Sequence, residues 1–97
     1  MSDLHSKTID RLMQAVLTLK TAEECHAFFE DICTIKEIQD MSQRLEVAEL
    51  LKSGNNYQEV VEKTNVSTAT ICRVNKCLNY GSGGYKTVID RMNGEKK

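Results

Sequence analysis

Residues 57–78 read YQEVVEKTNVSTATICRVNKCL, and their spacing is that of two short helices joined by a sharp turn. Val60, Thr64, Val66, Ile71 and Val74 fall where such a helix-turn-helix buries its inner faces. Asn65 falls at the turn position that must enter the left-handed region, which Asn tolerates better than most residues other than Gly. Ser67 then offers its hydroxyl to an orphan backbone N–H of the second helix. Val61 stands where the two helices crowd and Ala is usual, so an adjusted crossing angle is expected.

Working outward, the rest of the chain is also helical in pattern. Proline is absent, and apolar residues recur at three- and four-residue steps throughout, so an all-α fold of about six helices is expected. Ile9, Leu12, Met13, Val16 and Leu17 stripe a first helix ending near Lys20. Thr21 with Glu24, and Thr34 with Glu37, are capping boxes that open a second and a third helix. The second is striped by Cys25, Phe28, Phe29 and Ile32, and the third by Ile38, Met41, Leu45 and Ala48, widened by Val47, Leu50 and Leu51. Lys52-Ser53-Gly54-Asn55-Asn56 is the chemistry of a helix end. Gly81-Ser82-Gly83-Gly84 is a flexible break, Val88, Ile89 and Met92 mark a last helix over 85–92, and residues 93–97 are expected to fray.

Ninety-seven residues with 40% apolar and 28% charged side chains suit one small domain with one core. Within it, residues 1–53 are expected to be dimerisation helices and 57–78 the helix-turn-helix. The first two helices carry more large apolar residues than one thin bundle face needs, and burial against a second copy would absorb that surplus. No run nears the roughly 18 apolar residues of a membrane span, and the N-terminal MSDLHSKTID has no apolar signal core, so a cytoplasmic location without membrane contact is expected. Cys25, Cys33, Cys72 and Cys77 are accordingly expected to be reduced and mostly small core residues.

The net charge of −1 does not suggest bulk binding to nucleic acid. Its distribution is uneven, however. Residues 1–56 hold six Lys/Arg and ten Asp/Glu, giving −4, whereas residues 57–97 hold seven and four, giving +3. A helix-turn-helix presents the start of its second helix to the major groove of DNA. Thr68, Ala69 and Cys72 would then face base edges, Arg73 and Lys76 phosphates, and Gln58 a phosphate or an adenine, with Ser67 at the helix start. The alternative is a helical protein-interaction module in which these residues merely face water.

The stretch STATICRVNKCLNYGSGGY, residues 67–85, together with YQEVVEKTNV and RLEVAELL, resembles the Trp repressor superfamily, most closely its YerC/YecD-type branch. The likeness covers roughly residues 34–92. It implies an intertwined helical homodimer whose two reading heads bind a palindromic operator and repress transcription. It also implies a corepressor pocket between Arg44 and Arg73, with Thr34 lining it. Guanidinium planes suit that role, because they stack on aromatic rings and hold carboxylates. Val74 stands where the Trp repressor has glycine, and Cys77 replaces a serine that holds the ligand's amino group. Tryptophan is therefore not the expected ligand, and either another small molecule or none takes its place. The competing reading of Arg44 is a surface ion pair with Glu37, Asp40 or a neighbour.

Metal and enzyme chemistry find little support. Cys72 and Cys77 lie five positions apart, about 140° around a helix axis, which does not suit one metal ion. No CxxC or HxxxH pair occurs, and His5 stands far from His26. GSGG lacks the following Lys-Ser/Thr and the preceding strand of a phosphate loop, so no catalytic residue is assigned and no cofactor is expected.

Overall fold

The computed structural model describes residues 6–94, which form six helices and no strand. They are α1 (Lys7–Leu17), α2 (Ala22–Ile32), α3 (Ile35–Lys52), α4 (Tyr57–Thr64), α5 (Thr68–Tyr80) and α6 (Gly84–Met92). The chain divides into two compact units, Met1–Ile38 and Gln39–Lys97, with the boundary inside α3. Among the described residues no helix is long and apolar enough to cross a membrane.

In the first unit, local hydrogen bonds set where helices begin. The Ser6 hydroxyl accepts from the Ile9 amide and opens α1. Thr21 accepts from the Glu24 amide at 3.0 Å, while the Glu24 carboxylate reaches back to the amide of Lys20 at 2.8 Å, one residue before the cap. Thr34 and Glu37 form the full reciprocal box, at 3.0 and 2.8 Å. Helix α1 stops at Leu17, short of the expected Lys20. The amides of Thr18 and Leu19 bond to carbonyls three residues back, and the Thr18 hydroxyl takes the Ala15 carbonyl, tightening the last turn. Neither α1 nor α2 buries a residue fully: Met13 is 50%, Leu17 82% and Ile32 51% exposed. Phe28 and Phe29 meet edge to face, with ring centroids 5.5 Å apart.

The second unit holds a core. Val47 and Ala48 of α3, Val60 of α4, Val66 of the turn, Ile71 and Val74 of α5 and Ile89 of α6 pack together, ringed by half-buried Leu45, Leu50, Leu51, Tyr57, Val61 and Tyr85. Helix α3 turns inward the later, wider part of the expected stripe. Val47 and Ala48 are buried and Leu45, Leu50 and Leu51 pack against the core, all of them expected inner positions, whereas Met41 is 38% exposed. The cause is what lies against the helix, since the apolar side chains of the other helices meet this later segment. On α6, Ile89 alone of the three expected apolar residues is buried, while Val88 and Met92 are exposed.

Two terminations carry the geometry forward. At the end of α3 the amides of Gly54 and Asn55 bond to the carbonyls of Leu51 and Leu50, the paired bonds of a Schellman motif, with Gly54 at φ 100°. The sequence break at residues 81–84 begins with Gly81, whose amide bonds to the Cys77 carbonyl at 2.8 Å. A side-chain carbon at Gly81 would collide with that same oxygen, so only glycine fits here, where α5 has ended at Tyr80 and the chain leaves in extended form. His5 and residues 95–97 lie outside the described residues, and with them most of the stretch expected to fray.

Candidate nucleic-acid interface

Helix α4 opens with a complete capping box, in which Asn56 accepts from the Glu59 amide and Glu59 from the Asn56 amide, each at 2.8 Å. It closes at Asn65, held at φ 61°, ψ 19° in the left-handed region. The Thr64 hydroxyl donates to the Val60 carbonyl and accepts from the Val66 amide, so a polar residue at an inner position is satisfied locally. Ser67 then caps α5 by accepting from the Thr70 amide at 3.2 Å. The Thr64 and Ser67 hydroxyls and the Asn65 and Val66 amides of the turn thus each have a partner in the chain.

Helix α5 faces two ways. Ile71 and Val74 point into the core, with Leu78 half-buried behind them. Ala69, Cys72, Arg73 and Lys76 are all exposed and stand at i, i+3, i+4 and i+7, a single stripe on the side away from the core. Thr68 is exposed at the edge of that stripe. Gln58 is exposed in the first turn of α4. Next to it, the Tyr57 hydroxyl donates to the Cys72 sulfur at 3.9 Å, a contact that ties the start of α4 to the middle of α5. Tyr57 was not among the residues singled out in the sequence, because its partner lies fifteen positions away.

Desolvation, and secondarily the Cys72 contact, raise the Tyr57 phenol above its ordinary value of 10.0. Raising the folded-state value favours the protonated form. The stabilisation is therefore complete below about pH 10 and disappears as pH rises through the folded-state value. At neutral pH the hydroxyl remains a donor.

Electrostatics separate α5 from the helices before it. Helices α1 to α4 each carry an acid in the first turn, namely Asp10, Glu23 with Glu24, Glu37 and Glu59. The first turn of α5 has none, and no acid occurs anywhere from Thr68 to Tyr80. Its positive N-terminal dipole end is thus left without a side-chain anion, and its exposed stripe carries Arg73 and Lys76. An anionic surface is the partner such a helix can accept without a like-charge cost.

The other singled-out residues are more dispersed. Thr34 acts as a helix cap in the first unit. Arg44 is exposed on α3, and the Glu37 carboxylate, one of its expected ion-pair partners, is engaged by the Thr34 amide. Val74 is 1% exposed within the core. Cys77 lies on the flank of α5 and, with Leu45, Tyr85 and Val88, lines an open apolar cleft of about 550 Å³ in the second unit. None of the four cysteines is fully buried, contrary to the expectation that most are core residues; Cys77 is exposed, and so is Cys72, which was expected to face outward. Helix periodicity explains this: with Ile71 and Val74 inward, positions 72 and 77 both fall well away from the buried direction. Among the described residues no three His, Cys, Asp or Glu side chains are arranged to hold a metal ion.

Comparison with known proteins agrees with this architecture. Residues 7–93 match the family model of the Trp repressor protein. The uncharacterized protein YerC of Bacillus subtilis is 51% identical over 89 residues, spanning 92% of this chain and 86% of YerC. The crystal structure of a TrpR-like protein from Eubacterium eligens superposes with a TM-score of 0.89 at 48% identity, covering 97% of both chains. A Staphylococcus aureus protein, solved as a candidate Trp repressor, superposes with the same score at 45% identity, covering 97% of this chain and 94% of its own.

Proposed function

The chain belongs to the Trp repressor family, a family of non-enzymatic regulators, and on that premise we propose that it is a cytoplasmic, homodimeric transcription regulator that reads a palindromic operator through α5 and acts as a repressor. The observation that carries this reading is the exposed, acid-free stripe of Ala69, Cys72, Arg73 and Lys76 on a helix whose opposite side is locked into the core. Ala69 and Cys72, with Thr68 beside them, lie near the helix start, where base edges are met. Arg73 and Lys76 lie farther along, where phosphates are met. Gln58 adds a contact from the start of α4, and Ser67 keeps the α5 N-terminus in shape. Dimerisation is supported by the exposed apolar residues of α1, α2 and early α3, including Leu17, Ile32 and Ile35. Modulation by a small molecule other than tryptophan is consistent with Val74 filling the position beside Arg73.

The test is selection of duplexes from a random pool, followed by a salt titration of binding to the selected and to random DNA. The expected result is a palindrome with half-sites about one helical turn apart, bound with a steep salt dependence. If no duplex binds even at low salt, the protein is instead a helical interaction module and the DNA reading is wrong.

A further inference from the structure

Tyr80 is the last residue of α5 and is 85% exposed, the most exposed of the large apolar or aromatic residues described. It stands three turns beyond Ala69 and within about 20° of it around the axis, so it continues the stripe of Ala69, Cys72, Arg73 and Lys76. The fold gives it no role, because inward packing at this end of the helix falls to Leu78. Its backbone is nonetheless fixed, since Gly81 ends the helix directly behind it with a bond to the Cys77 carbonyl.

The chemistry of the last turn singles out its hydroxyl. No basic side chain occurs there. The side-chain Nδ2 of Asn79 is already engaged, donating to the backbone carbonyl and side-chain oxygens of Asn75 at 3.0 and 3.2 Å. From Ala69 to Tyr80 the stripe is about 16 Å long, whereas the major groove is about 12 Å wide. A helix that enters the groove by its N-terminal end and is longer than the groove is wide carries its far end past the groove edge, toward the sugar-phosphate wall.

We propose that the Tyr80 hydroxyl donates a hydrogen bond to a DNA phosphate and is a positioning residue that sets the depth and tilt of α5 in the groove. This rests on the DNA-reading function above. Tyr80 is an uncharged donor, which gives its contact a signature distinct from that of Lys76. Losing it weakens binding to every sequence alike without altering counterion release.

Tyr80→Phe keeps the ring and removes the hydroxyl. The expected loss is about three- to tenfold in affinity for both selected and random duplexes, with the slope of log affinity against log salt unchanged. Lys76→Gln, measured alongside, is expected to lower that slope by about 0.9. The proposal is overturned if Tyr80→Phe binds as the parent does, if it changes base preference at any operator position, or if it shifts the monomer–dimer equilibrium. A parent protein that binds no DNA removes the function and the proposal together, a result distinct from a binding parent indifferent to Tyr80→Phe.

Discussion

At Asn65 the backbone takes φ 61°, ψ 19°, the sole non-Gly residue among those described with positive φ. A β-carbon is costly there unless a short polar side chain eases the conformation, so the substitution order follows from sterics. Asn65→Gly is expected to leave stability within a few tenths of a kcal/mol, whereas Asn65→Val should cost roughly 1–2 kcal/mol. Urea denaturation monitored by circular dichroism measures both. Equal stability of the two variants would show that the turn is not held by its left-handed residue. Asn65 and Ser67 were both readable from the sequence, because their interactions close within three or four residues. Tyr57 was not, since its hydroxyl meets Cys72 only once α4 and α5 cross.

Helix α5 combines a locked face and an open one on the same thirteen residues. Ile71 is wholly buried, and Ile71→Ala is expected to cost about 2–5 kcal/mol through lost burial and a cavity. Its neighbour Cys72 is exposed and accepts only the long Tyr57 contact, so Cys72→Ala should cost no more than about 1 kcal/mol in stability while altering DNA selection. Comparable thermal melts of the two variants would contradict the assigned helix orientation. Ser67→Ala removes the cap and should cost about 1 kcal/mol, a melting shift of roughly 4–8 °C for a domain of this size. Helices α2 and α3 also begin at the Thr-x-x-Glu signatures, for the same local reason. On α3 the later inner positions were read correctly, whereas Met41 is 38% exposed. Apolar residues surround more of that helix than one partner can cover, and periodicity alone does not choose among them.

Across the whole molecule, large apolar residues are exposed in both units, but only the second unit has buried residues that form a core. Leu17 is 82% and Ile35 75% exposed, and α1 and α2 bury no residue fully. A homodimer that covers Leu17 predicts a melting temperature that rises with protein concentration. Leu17→Glu should weaken self-association by roughly 10- to 100-fold in sedimentation velocity, while Lys7→Glu, on the side of the same helix away from its apolar stripe, leaves it unchanged. If Leu17→Glu sediments as the parent does, α1 is not part of the interface. By itself the sequence determined the six helices, most of their caps and the turn between α4 and α5, because each depends on hydrogen bonds and sterics among near neighbours. Only the tertiary structure decided which apolar positions of α3 are covered, that Cys77 faces out, that Tyr57 meets Cys72 and that Tyr80 extends the outer stripe of α5. Burial depends on which distant segments arrive to cover a face, and a local pattern carries no record of that arrival.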